Sequence, residues 1–206
     1  MFENSFEKQK SQEQGQLVKI EVATPLDWEA YRNLRLTLTD KEDIAMLGIE
    51  PERLAEMKTR ADDEEYWKKQ LEINNLKFVL LAFKEVEPGG KIQEKKEALG
   101  MISAKSTEDK GVWYIYASYI KPDIRRKGLG EAMLADCLGE IEFRGGERAS
   151  MRVNTENDKQ LKLVDKFFFE IDTSKKIMDG EYSMFTDLTD EQVMKKVDEV
   201  LRSSNK

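Results

Sequence analysis

The sequence predicts a single mixed α/β domain, and two observations carry that prediction. Apolar runs of strand length alternate with segments whose apolar residues recur at helical spacing, in the order β-α-α-β-β-β-α-β-α-β-β and with no internal repeat. The 206 residues are 39% hydrophobic and include 9 Phe, 6 Tyr and 3 Trp, which suits one compact domain with a sizeable core.

Taken in chain order, residues 1–15 are polar and read as a flexible N-terminal tail. Residues 17–22 alternate in character and predict a first strand. Thr24-Pro25-Leu26-Asp27 predicts a helix start, with Thr24 as cap, Pro25 in the first turn and Asp27 complementing the dipole. Trp28, Tyr31, Leu34 and Leu38 then mark one helical face. A second helix is expected from Pro51 through Leu71, with Asp62-Asp63-Glu64-Glu65 as a solvated face or a break. Phe78 to Phe83 is a continuous apolar strand, and Glu87-Pro88-Gly89-Gly90 predicts a turn that opens a long loop to Glu97. Ala98–Ile102 and Val112–Ile120 are further strands. Leu134, Leu138 and Ile141 mark a helix that starts near Gly128 and stops at Gly145-Gly146. Arg148–Val153 is a short strand, and Leu161, Val164 and Phe168 mark another helix. Asp179-Gly180 reads as a hairpin turn, and Val193, Val197 and Val200-Leu201 as the inner side of a terminal helix. The domain is therefore placed at residues 16–188, with 189–206 as a C-terminal helical extension.

Composition removes whole classes of chemistry. With no histidine, Ser-His-Asp and Cys-His catalysis and histidine metal sites are excluded, and no metal is expected. The single Cys137 excludes an internal disulfide framework and reads as a packed thiol. No apolar run approaches the ~20 residues of a membrane span, and the polar first 14 residues lack a signal-peptide core. A cytoplasmic protein without membrane contact is the expectation. With 41 acidic against 34 basic residues the net charge is -7, so nucleic-acid binding is not expected either.

The charge is uneven, however. Lys121, Arg125, Arg126 and Lys127 against Asp123 give residues 121–130 a local +3, so the rest of the chain carries -10. Arg125-Arg126-Lys127-Gly128-Leu129-Gly130 leads from a strand directly into a helix. Glycines there let a ligand approach the backbone, and first-turn N–H groups have no intrahelical partners. Donors, dipole and cations together suit a pyrophosphate. Neither the GxxxxGK[ST] nor the GxGxxG spacing is present.

The segment Tyr119 to Gly130 resembles motif A of the GCN5-related N-acetyltransferases (GNAT), with its [QR]-x-x-G-x-[GA] signature after a strand. Downstream, Met151-Arg152-Val153 and Asn157 are similar to the family's fifth strand and its asparagine, and Leu161, Leu163 and Phe169 to its motif B. Asp27 to Leu36 looks like the family's first helix. The resemblance spans about residues 17–188. It implies a GNAT-like mixed, mostly antiparallel central sheet flanked by helices, with acetyl-CoA as co-substrate. The implied cofactor residues are Ser118, Ile120, Arg125, Arg126, Lys127, Gly128, Leu129, Gly130 and Asn157. Backbone N–H groups of Arg126 to Gly130 would hold the pyrophosphate. Ser118 to Ile120 would splay from the neighbouring strand to pair with pantetheine, and the Ile120 amide would polarise the thioester carbonyl.

The implied activity is acetyl transfer to a primary amine by direct attack in a ternary complex, the acceptor being a small molecule or a peptide. Four positions depart from the family pattern, one of them Gln160, which stands where a small residue is usual. Val164 stands where a tyrosine usually protonates the leaving thiolate, Phe168 where a glycine is usual, and Tyr116 where an acidic base often lies. Tyr116 and Tyr119 are the side chains available to replace that chemistry. Asn157, with Gln160 three residues on, also fits a helix cap. The -10 outside the loop favours a cationic acceptor such as a polyamine or aminoglycoside, with a protein N-terminus or lysine as the competitor. The alternative is an acyl-CoA-binding module with impaired catalysis that acts through a partner. An interaction protein with a purely structural basic loop is a third reading. A homodimer stays open.

Overall fold

The computed structural model describes residues 9–13, 16–37, 51–72, 74–84, 96–174 and 180–204. The strands are β1 (Gln9–Glu13), β2 (Gln16–Val22), β3 (Lys77–Lys84), β4 (Ala98–Ser106), β5 (Val112–Ile120), β6 (Arg148–Asn154), β7 (Glu170–Ile171) and β8 (Glu181–Asp187). The helices are α1 (Trp28–Leu36), α2 (Pro51–Thr59), α3 (Glu64–Gln70), α4 (Leu129–Phe143), α5 (Asp158–Asp165) and α6 (Glu191–Ser203), numbered over the described residues. The eight described strands form one sheet in the order β1-β2-β3-β4-β5-β6-β8-β7. Every neighbouring pair is antiparallel except β5 and β6, which run parallel because α4 carries the chain back between them. This is the mixed, mostly antiparallel sheet that the sequence predicts.

The sheet is buried on both faces, which explains why β3 and β4 read as continuous apolar runs. On one face α4 packs against Phe78, Leu80, Ile102, Trp113 and Ile115, and α6 closes over α4 through Val193, Val197 and Val200. On the other, α1, α2 and α3 pack Tyr31, Leu34, Met57 and Trp67 against Val79, Leu81, Phe83 and Met101. Leu134, Leu138 and Ile141 are fully covered, and so are Ala135 and Cys137 between them. Burial pushes the Cys137 thiol far above its ordinary range, with Asp136 and Glu140 adding to the effect, so it stays a protonated, packed group.

The start of α1 follows its sequence. Thr24 and Asp27 form a reciprocal capping box, with Pro25 opening the 3-10 turn that leads into the helix. Two features differ from expectation, residues 9–13 and Phe168. Residues 9–13, within the expected tail, pair with β2 as an edge strand. Of the two readings of Asp62 to Glu65, the break holds: Asp63 leaves the helical conformation and caps α3 by accepting from the Tyr66 N–H. α5 ends at Asp165, so Phe168 is not on its inner face. It sits half-exposed at φ 57° while Phe167 and Phe169 turn inward. The expected terminal helix forms as α6, and its apolar side, Val193, Val197 and Val200, joins the main core. Leu38, the turn Glu87–Gly90 with its loop, and Asp179 lie outside the described residues. No helix among the described residues is long and apolar enough to cross a membrane.

Candidate active site

Two irregularities in β5 create the site. The first is a divergence: β5 pairs with β6 only from Val112↔Arg148 to Ile115↔Met151. Beyond Ile115 the β5–β6 pairing stops, while β5 runs on to Ile120. The two parallel strands therefore open like a V, and backbone donors and acceptors line its β5 arm. The second is a bulge: Met101↔Tyr119 and Ser103↔Tyr116 place one more residue on β5 than on β4. Ala117 takes up the excess at φ 54°.

That bulge swaps the faces of the strand. Before it, Trp113 and Ile115 point to the α4 layer; after it, Tyr119 packs in the α1–α3 layer and Ile120 against the α4 layer. Lys121 donates its N–H to Leu99 on β4 at 2.9 Å. The alternation of a strand then turns the Ile120 N–H to the opposite side, into the open V. The Ile120 carbonyl accepts from Arg125 Nε at 2.8 Å.

The basic loop closes the wide end of the V. Pro122–Ile124 forms a 3-10 turn, Arg126 and Gly128 take left-handed conformations at φ 65° and 81°, and Gly128 is the N-cap of α4. Among the described residues the N–H groups of Gly128, Leu129 and Gly130 donate to no acceptor. They project from the positive end of a 15-residue helix beside exposed Arg126 and half-exposed Lys127. A Cβ on Gly128 would meet nothing, so its requirement is conformational. A Cβ on Gly130 would lie 3.3 Å from Ile120 Cδ1 and 3.6 Å from Leu163 Cδ2, so this glycine lets α4 sit close against β5 and α5.

The predicted residues divide by role. Ser118 and Ile120 lie on the stretch of β5 beyond its pairing with β6, Gly130 sits against Ile120, Arg126, Lys127 and Gly128 form the turn before α4, and the Leu129 side chain is buried in the core. Arg125 instead braces the strand end: besides its bond to the Ile120 carbonyl, its guanidinium lies over the Tyr119 ring at 5.5 Å. Asn157 caps α5, its Oδ1 accepting from the Gln160 N–H and its Nδ2 donating to Gln160 Oε1, both at 3.1 Å. Lys166 pairs with Glu131 and ties α5 to α4. Val164 is completely buried, so α5 offers no side chain to the V at that position.

The phenols lie on the α1–α3 side. Tyr114 and Tyr116 stack with ring planes 7° apart, while Tyr119 is buried in the core. Burial raises the pKa of Tyr116, Tyr31 adding to it and the Arg35 and Arg53 charges opposing it, so its hydroxyl keeps its proton at neutral pH. Three residues of this layer were not singled out from the sequence. They are Arg35 on the inner face of α1, Ser103 opposite Tyr116 on β4, and Tyr66 on α3, each with a buried polar atom that lacks a hydrogen-bond partner. The hint for Arg35 is a lone charge one turn beyond Tyr31 on an apolar stripe. An open polar cleft of about 500 Å³ between α2 and α3 is lined by Arg53 and Tyr66 and does not reach the basic loop.

Comparison with known proteins agrees with this geometry. The model of the acetyltransferase (GNAT) family matches residues 46–168. The Thermoplasma acidophilum PaiA N-acetyltransferase, solved in complex with coenzyme A, superposes with a TM-score of 0.56 at 15% identity, over 82% of this chain and 98% of that one. A GNAT acetyltransferase from Streptococcus pneumoniae gives 0.61 at 17% identity, over 82% and 98%. An uncharacterized Bacillus halodurans protein gives 0.63 at 10% identity, over 96% of both chains. No curated protein matches the sequence. With its divergent β5–β6 pair, its glycine-capped α4 and a family match over more than half its length, the chain belongs to the GNAT acetyltransferase family.

Proposed function

We propose that the protein transfers an acetyl group from acetyl-CoA to a primary amine, and the observation that carries this is the open V between β5 and β6 with unpaired backbone donors at its mouth. The pyrophosphate would rest on the N–H groups from Arg126 to Gly130, with Arg126 and Lys127 as counter-charges. Pantetheine would pair with Ser118 to Ile120, and the Ile120 N–H would donate to the thioester oxygen as charge builds on it. The amine nitrogen attacks the carbonyl carbon, the C–N bond forms and the C–S bond breaks. One proton passes overall from nitrogen to sulfur. Tyr116, neutral and on the acceptor side, is better placed to supply the proton to the thiolate than the core residue Tyr119. The cytoplasm, where CoA thioesters and small amines meet, is the compartment we assign.

Thermal unfolding with and without acetyl-CoA tests this reading. At one hundred times its dissociation constant the ligand adds about 2.7 kcal/mol to the wild-type protein. Gly128→Glu sets a carboxylate among the phosphate donors and strains a φ of 81°, so the shift should vanish in that variant. No shift in the wild-type protein would remove the reading.

A second reading is a CoA-binding module without turnover, favoured by the burial of Val164 where the family usually carries a catalytic tyrosine. Release of free CoA with any amine in a broad panel would exclude it.

A further inference from the structure

We propose that the acceptor side of the site contains a carboxylate subsite built on Arg35, so that the acceptor is an amine that also bears a carboxylate; this rests on the acetyltransferase reading above. Arg35 is 8% exposed, on the inner face of α1. Its Nη2 meets the Met57 sulfur at 3.3 Å, its Nε has no partner, and no carboxylate pairs with it among the described residues. A guanidinium withdrawn from water without a counter-charge is costly, and a bound anion is the ordinary compensation.

The surroundings offer donors for that anion. The Ser103 hydroxyl is fully buried and unpartnered, and Ser103 stands directly opposite Tyr116 across the β4–β5 pair. On β4 it shares the face of Met101, hence the α1–α3 layer in which Arg35 lies. The Tyr66 hydroxyl on α3 is buried without a partner as well. The Tyr66 ring is flanked by the guanidiniums of Arg53 at 5.9 Å and Arg60 at 4.9 Å. Tyr116 and Tyr66 are both within electrostatic reach of Arg35. A planar fork with two hydroxyl donors matches a carboxylate, and its positive charge opposes a polycation. Locally, then, the site contradicts what the whole-chain charge suggests. A zwitterion satisfies both: its ammonium is drawn by the acidic surface, and its carboxylate is held by Arg35.

The test pairs each α-amino acid with its α-carboxamide. CoA release is measured for the wild-type, Arg35→Gln and Ser103→Ala proteins, with the thermal shift by acetyl-CoA as a separate readout. The acids should exceed their amides in kcat/KM by about tenfold or more, because the amide leaves the buried donors unpaired. Arg35→Gln should erase that ratio while the acetyl-CoA shift persists. If Arg35→Gln does not fold, Ser103→Ala must lower the same ratio severalfold. Equal turnover of acids and amides, or a ratio unmoved by either variant, overturns the proposal. A further measurement needs only the wild-type chain with CoA. N-acetyl amino acids should raise its melting temperature and their amides should not, and equal shifts count against Arg35. A carboxylate-selective shift in a protein that ignores acetyl-CoA would instead sink the acetyltransferase reading and leave the subsite standing.

Discussion

Ala117 holds a left-handed conformation, φ 54°, inside a nine-residue strand. An L-residue there costs about 1–2 kcal/mol, and the cost is sustained by the bulge that aims Tyr116 and Ile120 to different sides of the V. Ala117→Gly should therefore stabilise the fold by about 0.5–1 kcal/mol, the relieved strain outweighing glycine's extra freedom in the unfolded chain. Ala117→Val, the change that strand propensity favours, should destabilise by about 1–3 kcal/mol because a β-branched side chain tolerates positive φ poorly. Urea unfolding of both variants decides the matter. Valine equal to or better than glycine would mean that the bulge does not persist in solution.

At the level of elements, the join between α4 and α6 shows how the fold supports the helix that follows the basic loop. A Cβ on Gly139 of α4 would lie 3.9 Å from both Val197 Cγ1 and Leu201 Cδ1, so the two helices meet closely at the C-terminal half of α4. Val197 is 1% exposed. Val197→Ala should cost about 2 kcal/mol for the lost methyl groups and the space they leave. A loss under about 0.5 kcal/mol would mean that α6 adds little to the stability of the core it packs on. The apolar spacing of α6 was legible in the sequence, but not that α4 presents Gly139 to receive it. The same division holds at the site. The glycines and cations of 125–130 announce themselves because a strand-to-helix turn with free donors needs those residue types. Ala117 does not, since a bulge shifts register without altering an apolar run. Arg35 is hidden for a different reason: its stripe of Trp28, Tyr31 and Leu34 already accounts for a packed helix. The division of the second helix was half-legible: Asp62 to Glu65 read as a solvated face or a break, and the capping oxygen of Asp63 decides for the break.

For the whole molecule, the missing histidine dictates the response to pH. Burial alone would raise the pKa values of Glu21, Asp27 and Glu131, but hydrogen bonds and cations outweigh it: Lys19 and Lys96 at Glu21, the Thr24 amide and Lys96 at Asp27, Lys166 and Lys196 at Glu131. Glu97 is lowered chiefly by Lys121 and Asp187 chiefly by Thr189. Carboxylates held below their unfolded values of 3.8 to 4.5 contribute fully above that range and lose their contribution as pH falls through it. Tyr66, Tyr114 and Tyr116 are raised by burial above 10.0, so their effect appears only in strong alkali, where the unfolded phenols ionise first and stability falls. Between these limits no side chain of ordinary pKa titrates, because the chain contains no histidine and its one thiol is buried. The melting temperature should accordingly stay flat from about pH 5.5 to 8.5 and drop on both sides. Over the same window kcat/KM should rise with the neutral fraction of the acceptor amine and move with its pKa when one acceptor is exchanged for another. An inflection that stays fixed for acceptors of different basicity would reveal an enzyme group titrating near neutrality and would count against Tyr116, held protonated by burial, as the proton donor.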